Sequence, residues 1–479
     1  MNILNSVELN STNVIQEHER SGTARSLFWP WAAANVSLLA LGYGGLFLDL
    51  FNISFWQAVL AAFIGTVSSF GLVAVSSIAG KRSSAPTMTL SRAAFGVKGN
   101  VFPGLLSYLT FVGWETVLVA LATLASRTVL VRVGHINHNL ALIIGFVLAA
   151  GLVIFGGVLG FHTIMKIQRW LTVTTVLLTL GYVGLTWHKI NWHTIHVMHS
   201  GTTAGVIGAT IFAVTGIGLG WVNSAADYSR YLPRTVTNRA VVGWTIFGAS
   251  IVPIVLVIFG TLLSASSPSL KGAIEGDPVG ALTSILPTWF LIPFALVAIL
   301  GLIGGAILDL YSSGIALVSI GFPYRRHLAA GIDALIMLAG TIYIAWHSPS
   351  FVAPFQAFLI TLGVPIASWS AIFVADVVLR RAPYVSEDLF NPRGRYGSWN
   401  LRSILLLIGG TIVGWGFVTN SDPSAHWLNW QGYFMSAIGG KSGQWAPANV
   451  GVIFALVVGF AGHILLSRRA IAKQEAHHG

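Results

Sequence analysis

Two carboxyl groups inside long apolar runs are the residues of this chain best placed for chemistry. Glu115 follows Trp114 in the stretch Phe-Val-Gly-Trp-Glu-Thr, and Asp309 lies in Ala-Ile-Leu-Asp-Leu-Tyr-Ser-Ser. Desolvation penalises the charged form of a carboxyl in such surroundings, so each group could bind and release a proton, or accept hydrogen bonds from N–H donors. The alternative interpretation is a neutral acid that is hydrogen-bonded to a neighbouring helix.

Two tryptophans share one local sequence pattern and could bind a ring near these carboxyls. Trp114 and Trp221 each follow a glycine and lie inside an apolar run. A flat heteroaromatic molecule between two such rings would gain offset-stacking contacts, each worth about 0.5–1.5 kcal/mol beyond simple burial. A single tryptophan in an apolar run usually serves packing, but the repeated Gly-Trp pair favours a binding role for both.

Glycine clusters indicate where two of the apolar helices could break. They are Gly42, Gly44 and Gly45 in the first run, and Gly216, Gly218 and Gly220 in the sixth. Transporters often bind substrate where two such helices, corresponding in an inverted repeat, unwind near the middle of the membrane. We therefore expect Gly42, Tyr43 and Gly220 to line a binding site. The alternative is close helix packing, since the chain has 53 glycines.

The elements that must position these residues are membrane-spanning helices. Hydrophobic residues make up 54% of the 479 residues and charged residues 9%, against about 25% charged in a soluble domain. Lipid must therefore cover the surface. A helix crosses the bilayer core with about 20 apolar residues. Such runs predict an all-α protein with twelve spans, at 29–51, 56–80, 103–130, 139–160, 166–187, 203–226, 240–265, 288–320, 327–346, 352–380, 402–419 and 448–467.

The basic residues predict how the chain is oriented. The net charge of +11 could suit a nucleic-acid binder, but the basic residues lie in short segments between apolar runs and form no long basic face. If both termini are cytoplasmic, the lysines and arginines left outside, out of 26, are Arg127, Arg132, Lys189, Lys271 and Lys441. The positive-inside rule favours this orientation. The first 27 residues mix charges and do not read as a cleaved signal peptide, so we predict a multi-pass protein of the plasma or inner membrane.

The order of the spans predicts the domain organisation. The glycine clusters fall in the first and sixth spans, as two inverted repeats of five helices would require, and this leaves the last two helices as an addition. The predicted segments are a cytoplasmic N-terminal segment 1–28, a first repeat 29–187, a second repeat 203–380, two accessory helices 402–467 and a cytoplasmic tail 468–479.

Four further acidic residues lie nearer the ends of spans: Asp49, Asp227, Asp333 and Asp376. For these we expect water or a basic neighbour within reach. Asp227 is expected to pair with Arg230 or with a neighbouring loop.

Enzymatic chemistry is not predicted. The chain has no cysteine and no nucleotide-binding P-loop, and His193 and His196 alone are a weak metal signal. No nucleophile, base or metal set converges within the spans. We therefore expect neither a cofactor nor a metal, and no nucleic-acid partner.

Several stretches resemble one transporter family. They are Ser26 to Trp29, Ala34 to Leu39, Ser54 to Ala58, Ser91 to Gly96, Gly113 to Glu115, Ala225 to Pro233, and Asp376 with Arg380, Arg381 and Tyr384. The chain is similar over nearly its whole length to the purine-cytosine permease branch of the nucleobase–cation symporter family. This resemblance implies a five-plus-five inverted repeat with two extra helices, and transport by alternating access.

The resemblance also implies a binding site. Family members sandwich a nucleobase-like ring between a tryptophan of the third span and one of the sixth, here Trp114 and Trp221. Polar contacts come from the broken first span and from the eighth, where Asp309 corresponds to a residue that is commonly Asn. An amide often found one turn after the third-span tryptophan is replaced here by Leu118.

The coupling ion follows from a second departure. Sodium-coupled relatives use eighth-span hydroxyls about a turn or more before the substrate-binding residue, whereas this chain has Ile303, Gly304 and Gly305 there. We therefore predict a symporter coupled to protons through Asp309 or Glu115, which imports a nucleobase such as cytosine or a purine, or a related heterocycle. The alternatives are a sodium-coupled transporter of a hydantoin-, allantoin- or vitamin-like ring, a membrane-embedded enzyme, and a sensor.

Overall fold

A computed structural model describes residues 14–158, 161–320 and 326–476 of the chain. Within these residues the secondary structure is helical and contains no strand. Parts of the predicted terminal segments (residues 1–13 and 477–479) and the predicted end of the fourth span (159–160) lie outside the described residues. Apart from the first and sixth runs, which are broken, the apolar runs fold as helices that overlap the predicted spans; the twelfth helix continues to Ala476, past its predicted end at 467.

We keep the span numbers for these helices. Their bounds are Phe28–Ala34 with Leu38–Phe51 (first span), Phe55–Ser83, Val101–Gly134, His138–Val158, Phe161–Thr186, Thr203–Ala213 with its continuation to Ser229 (sixth), Asn238–Ser266, Thr288–Ser319, Arg326–Ile342 with its continuation to His347 (ninth), Val352–Leu379, Leu401–Gly416 and Gly451–Ala476 (twelfth). Among the described residues, nine helices are long and apolar enough to cross a membrane, or ten with the bent first span. The part of the ninth span from Gly331 to His347 and the eleventh span, Leu401–Gly416, count as shorter apolar helices, so twelve crossings stay a prediction.

The first span is broken, but not at its glycines. Its two helices meet at 69°, and the break falls at Asn35–Ser37, where the Ser37 side chain accepts a hydrogen bond from the Leu39 amide. The predicted position at Gly42 to Gly45 was wrong. Gly44 is instead packed so tightly on the seventh span that an added Cβ would lie 2.2 Å from the Thr261 nitrogen, which is the close-packing use of glycine.

The sixth span is broken where its glycines predict. An α-helix ends at Ala213, a wide π-helical turn covers Val214–Gly218, and a tight 3₁₀ segment covers Leu219–Ser224 before the helix resumes at Ala225. Such changes of winding release backbone groups from their usual i–4 partners. The carbonyl of Gly216 is one group that finds a side-chain partner.

The packing of the spans repeats after every fifth helix. The first span packs on the seventh as the sixth packs on the second, and the third packs on the ninth as the eighth packs on the fourth. The second also packs on the seventh and the third on the eighth, while the eleventh and twelfth pack on each other and on the tenth. This is the pattern expected of two related five-helix units with two added helices; their domain bounds stay a prediction.

The connecting segments collect on two opposite faces of the bundle. On one face, which we call the terminal face, residue Ile15 bonds Ser84, Ser21 bonds Tyr231 and Arg381 bonds Glu475. These contacts join both ends of the described chain to the loops after the second, sixth and tenth spans. On the opposite face, Gln57 at the start of the second span bonds Gly201 in the loop after the fifth. Both described ends therefore lie on one side.

Candidate functional site

Trp114 lies where the third, sixth and tenth spans meet. Its half-buried indole packs edge-on against Phe355 and Phe358, with ring centroids 5.8 Å and 5.9 Å away. The broken sixth span approaches from the other side, and a Cβ added to Gly220 would lie 3.5 Å from the Trp114 Nε1. Because Gly220 has no side chain, the space beside the indole stays open.

A small pocket opens at this junction. It is lined by Thr110, Trp114, Thr215, Leu219, Gly220, Phe358, Leu359, Leu362, Gly363 and Ile366. Its free space is about 10 Å³, which is room for roughly one water molecule. A heterocycle could therefore enter only if neighbouring side chains or the broken sixth span move.

Trp221 points elsewhere in this structure. Its ring packs edge-on against Trp31 of the first span at 5.9 Å, and Trp31 in turn packs on Tyr228 at 5.1 Å. The 3₁₀ winding of Leu219–Ser224 turns successive side chains by about 120°, so Gly220 faces the pocket while Trp221 does not line it. A sandwich between Trp114 and Trp221 therefore stays a prediction.

Neither Tyr43 nor Gly42 lines the pocket. The buried Tyr43 hydroxyl donates a 2.8 Å hydrogen bond to the Gly216 carbonyl, which satisfies a backbone group released by the sixth-span break. The Tyr43 ring also packs near Phe355, the ring that contacts Trp114. Gly42 lies against Pro278, 3.1 Å from where its Cβ would be. Tyr43 thus ties the first span to the sixth.

Glu115 is fully buried and has no hydrogen-bond partner among the described residues. Its exposed fraction is 0%, and within the described part of the chain neither carboxylate oxygen has a partner. Asp309 of the eighth span and Asp333 of the ninth are its nearby carboxyls and would repel it when charged. A buried polar group without a partner costs about 1–3 kcal/mol, and a charged one more, so Glu115 is held here at the expense of stability.

Asp333 is the functional candidate that the sequence analysis missed. It is fully buried, and its two oxygens accept hydrogen bonds from Tyr108 and Ser313, both at 2.6 Å. The expectation of water or a basic neighbour was wrong for this residue, because hydroxyls of the third and eighth spans cover it. Its place inside the apolar run 327–346 was the available signal.

The other end-of-span acids behave as expected. Asp376 is paired with Arg380 at 2.7 Å, Asp49 lies 3.8 Å from Lys271, and Asp227 accepts hydrogen bonds from the backbone and hydroxyl of Thr87 in a neighbouring loop. These contacts compensate the carboxylates locally and give them structural roles.

A larger cavity of about 400 Å³ opens at the face opposite the termini. Its lining includes Leu124 and Arg127 of the third span, Ile344 of the ninth, and Asp277 between two short helices. Burial raises the pKa of Asp277, while hydrogen bonds from Thr128 and from the Gly280 amide act in the opposite sense. Leu124 lies ten residues beyond Trp114 on the same helix, or about 15 Å along its axis, so this cavity is an entrance candidate above the pocket.

Purine-cytosine permeases are among the curated relatives of this chain. The chain is 24% identical over 434 residues to a putative purine-cytosine permease of Bacillus subtilis, covering 87% of this chain and 89% of that one. It is 26% identical to the yeast (Saccharomyces cerevisiae) purine-cytosine permease FCY21, but over 52% of this chain and 45% of the yeast protein.

Solved transporter structures share the fold. Mhp1, a nucleobase-cation-symport-1 family transporter in a closed conformation with bromovinylhydantoin bound, superposes with a TM-score of 0.67 over 98% of this chain and 99% of Mhp1, at 18% identity. The inward-facing conformation of Mhp1 gives 0.70 over 98% and 97%. A Na+-coupled sialic acid symporter gives 0.54 over 94% and 91%, at 13% identity.

A family profile covers most of the chain. Residues 14–447 match the family described as permeases for cytosine/purines, uracil, thiamine and allantoin. The all-helical bundle, its broken sixth span and the permease relatives therefore identify a multi-pass membrane transporter rather than an enzyme. This chain belongs to the family of permeases for cytosine/purines, uracil, thiamine and allantoin.

Proposed function

We propose that this chain is a proton-coupled symporter that imports a nucleobase, such as cytosine or a purine, or a related heterocycle, by alternating access. The observation that carries the proposal is Glu115, fully buried and without a hydrogen-bond partner in the described chain, directly after the pocket-lining Trp114. A carboxyl held in that state can take up a proton, and its neighbour can stack on a ring.

A proton is favoured over sodium by the surroundings of Gly304. Neither Gly304 nor Gly305 offers a side-chain oxygen, and the Gln168 side chain of the fifth span fills the space beside Gly304, with its Oε1 2.4 Å from where a Cβ would stand. A hard cation such as sodium binds several oxygen ligands at once. One amide oxygen beside two glycines does not supply such a set.

Substrate recognition is proposed to combine stacking with acidic hydrogen-bond acceptors. Trp114, with Trp221 after a movement of the sixth span, would hold the two faces of the ring. Glu115 and Asp309 would accept hydrogen bonds from ring N–H groups, and the backbone around Gly42, Tyr43 and Gly220 would shape the edge of the site. The terminal face is proposed to be cytoplasmic, because the positive-inside rule places the basic segments there.

Uptake into liposomes tests this proposal. Purified protein is reconstituted, and radiolabelled cytosine, adenine, hypoxanthine, allantoin and a hydantoin are offered under an inward proton gradient or an inward sodium gradient. We expect accumulation of a nucleobase that follows the proton gradient and disappears with a protonophore. Accumulation that follows only sodium would favour the sodium-coupled alternative, and binding without flux would favour a sensor.

A further inference from the structure

Asp333, Tyr108 and Ser313 form a hydrogen-bonded triad between three spans. Tyr108 of the third span donates to Asp333 Oδ1, and Ser313 of the eighth donates to Asp333 Oδ2, both at 2.6 Å. Ser313 and Asp333 are fully buried, and Tyr108 is 6% exposed. Each Asp333 oxygen therefore has its own hydroxyl donor, although the Ser313 hydroxyl also lies 3.0 Å from the Leu310 carbonyl.

The triad lies between the coupling carboxyls and the terminal face. Tyr108 precedes Glu115 by seven residues, or two helical turns toward the start of the third span. Ser313 follows Asp309 by four residues, or one turn, on the eighth span, which runs in the opposite direction. Asp333 lies seven residues inside the ninth span, which starts at the terminal face. All three are therefore displaced from Glu115 and Asp309 in the same direction.

Protons are the cations that fit this group of carboxyls. Asp309 and Asp333 both lie near enough to Glu115 to repel it when charged, and none of the three is ion-paired with a described residue. No group of acidic or histidine side chains in the described chain could hold a metal ion. The groups that face Asp333 are Tyr108, Ser313 and Glu115. Protonation of one carboxyl would relieve the repulsion among the three, and the Glu115 oxygens, which have no partner among the described residues, are open to receive a proton.

We propose that Asp333 is the proton-release site of the transporter, and that Ser313 connects it to the coupling carboxyls. The inference rests on the proposed proton coupling. A neutral Asp309, one helical turn before Ser313, would pass its proton to the Ser313 hydroxyl oxygen once the two side chains come within hydrogen-bond distance, as the Ser313 proton moves to Asp333 Oδ2. One O–H bond breaks and one forms at Ser313, Asp309 is left as a carboxylate, and Asp333 becomes neutral. Tyr108 is a positioning residue, because it holds Oδ1 while Oδ2 accepts the proton. Asp333 then releases the proton toward the terminal face.

Two assays on reconstituted protein separate this role from a structural one. Substrate exchange at equal pH on both sides needs no net proton transfer, whereas accumulation under a proton gradient does. For Asp333→Asn we expect exchange to stay within about twofold of wild type and gradient-driven accumulation to fall at least tenfold, a loss of general acid–base size. A pH-sensitive dye inside the liposomes should report a matching loss of proton entry with substrate. Accumulation and dye signals equal to wild type would overturn the proposal.

Further variants keep the test decisive if Asp333→Asn does not fold. Ser313→Ala removes the connection and Tyr108→Phe the positioning bond, and both should slow gradient-driven accumulation more than exchange. Tyr182→Phe is the matched control, since its buried hydroxyl bonds the Leu282 carbonyl away from the carboxyls; its two rates should stay in the wild-type ratio. Equal loss of both rates in the triad variants means a structural role. If the wild-type protein itself gives no dye signal, the proposed proton coupling is wrong. This result differs from a failure of the Asp333 role alone, in which the wild-type protein still gives the signal.

Discussion

Two groups of buried acids in this bundle are stabilised in opposite ways. Near the end of the tenth span, the Arg380 guanidinium donates hydrogen bonds of 2.7 Å and 3.1 Å to the Asp376 carboxylate, and His463 of the twelfth span lies 3.5 Å away. Between the third, eighth and ninth spans, Glu115 has no partner in the described chain and Asp333 has two hydroxyls. The first group balances its charge within the protein. The second group has no cation partner among the described residues, and in the proposed mechanism a proton supplies the missing charge.

Removing the acid of the paired group should have the largest effect, and it should fall on stability. Asp376→Asn leaves the Arg380 guanidinium buried without its counter-charge, which costs about 3–5 kcal/mol. We expect a clear drop in the melting temperature of the purified protein, with transport per folded molecule unchanged. The double variant with Arg380→Met should recover part of the loss, because no charge is then left unpaired. Full stability of Asp376→Asn would contradict the comparison.

Removing the unpaired acid should act on coupling instead. Glu115→Gln keeps the shape and cannot take up a proton, so gradient-driven accumulation should fall by about a hundredfold. The melting temperature should hold or rise, because a buried carboxyl without a partner is lost. Uptake under a proton gradient and thermal unfolding of the same preparation measure both effects. Glu275→Gln, on an exposed residue of the opposite face, is the control; a destabilised Glu115→Gln that still accumulates substrate would reverse the assignment.

Two tryptophans allow the same comparison between a residue of the candidate site and a residue that serves packing. Trp114→Ala removes one stacking face and should weaken the affinity for a nucleobase by about tenfold. Trp415→Ala in the eleventh span removes an equally half-buried indole that packs on Trp430 and should leave affinity unchanged. Equilibrium binding of a radiolabelled nucleobase compares the two. Trp221→Ala belongs in the same series. If it weakens the affinity as much as Trp114→Ala does, the Trp221 ring must move away from Trp31 when substrate binds.

Sequence predicted the features that depend on one helix at a time. The apolar runs gave the spans, and the glycines of 216–220 gave the sixth-span break. The first-span break was misplaced, because glycine serves close packing as readily as unwinding, and the contact of Gly44 with Thr261 lies across two helices. Asp333 was misjudged for the same reason, since Tyr108 and Ser313 come from other spans. The direction of Trp221 depends on a 3₁₀ turn that hydropathy does not reveal.

The smallest effect should come from the bond that joins the two broken spans. Tyr43→Phe removes the hydroxyl that serves the Gly216 carbonyl, a hydrogen bond worth about 1 kcal/mol. That carbonyl lies in the π-helical turn next to the pocket, so the loss should loosen the sixth span rather than the whole bundle. We expect faster hydrogen exchange confined to residues 214–224 and a change in affinity of less than threefold. If hydrogen exchange also becomes faster across the first and seventh spans, Tyr43 stabilises the whole bundle and is not a residue of the binding site.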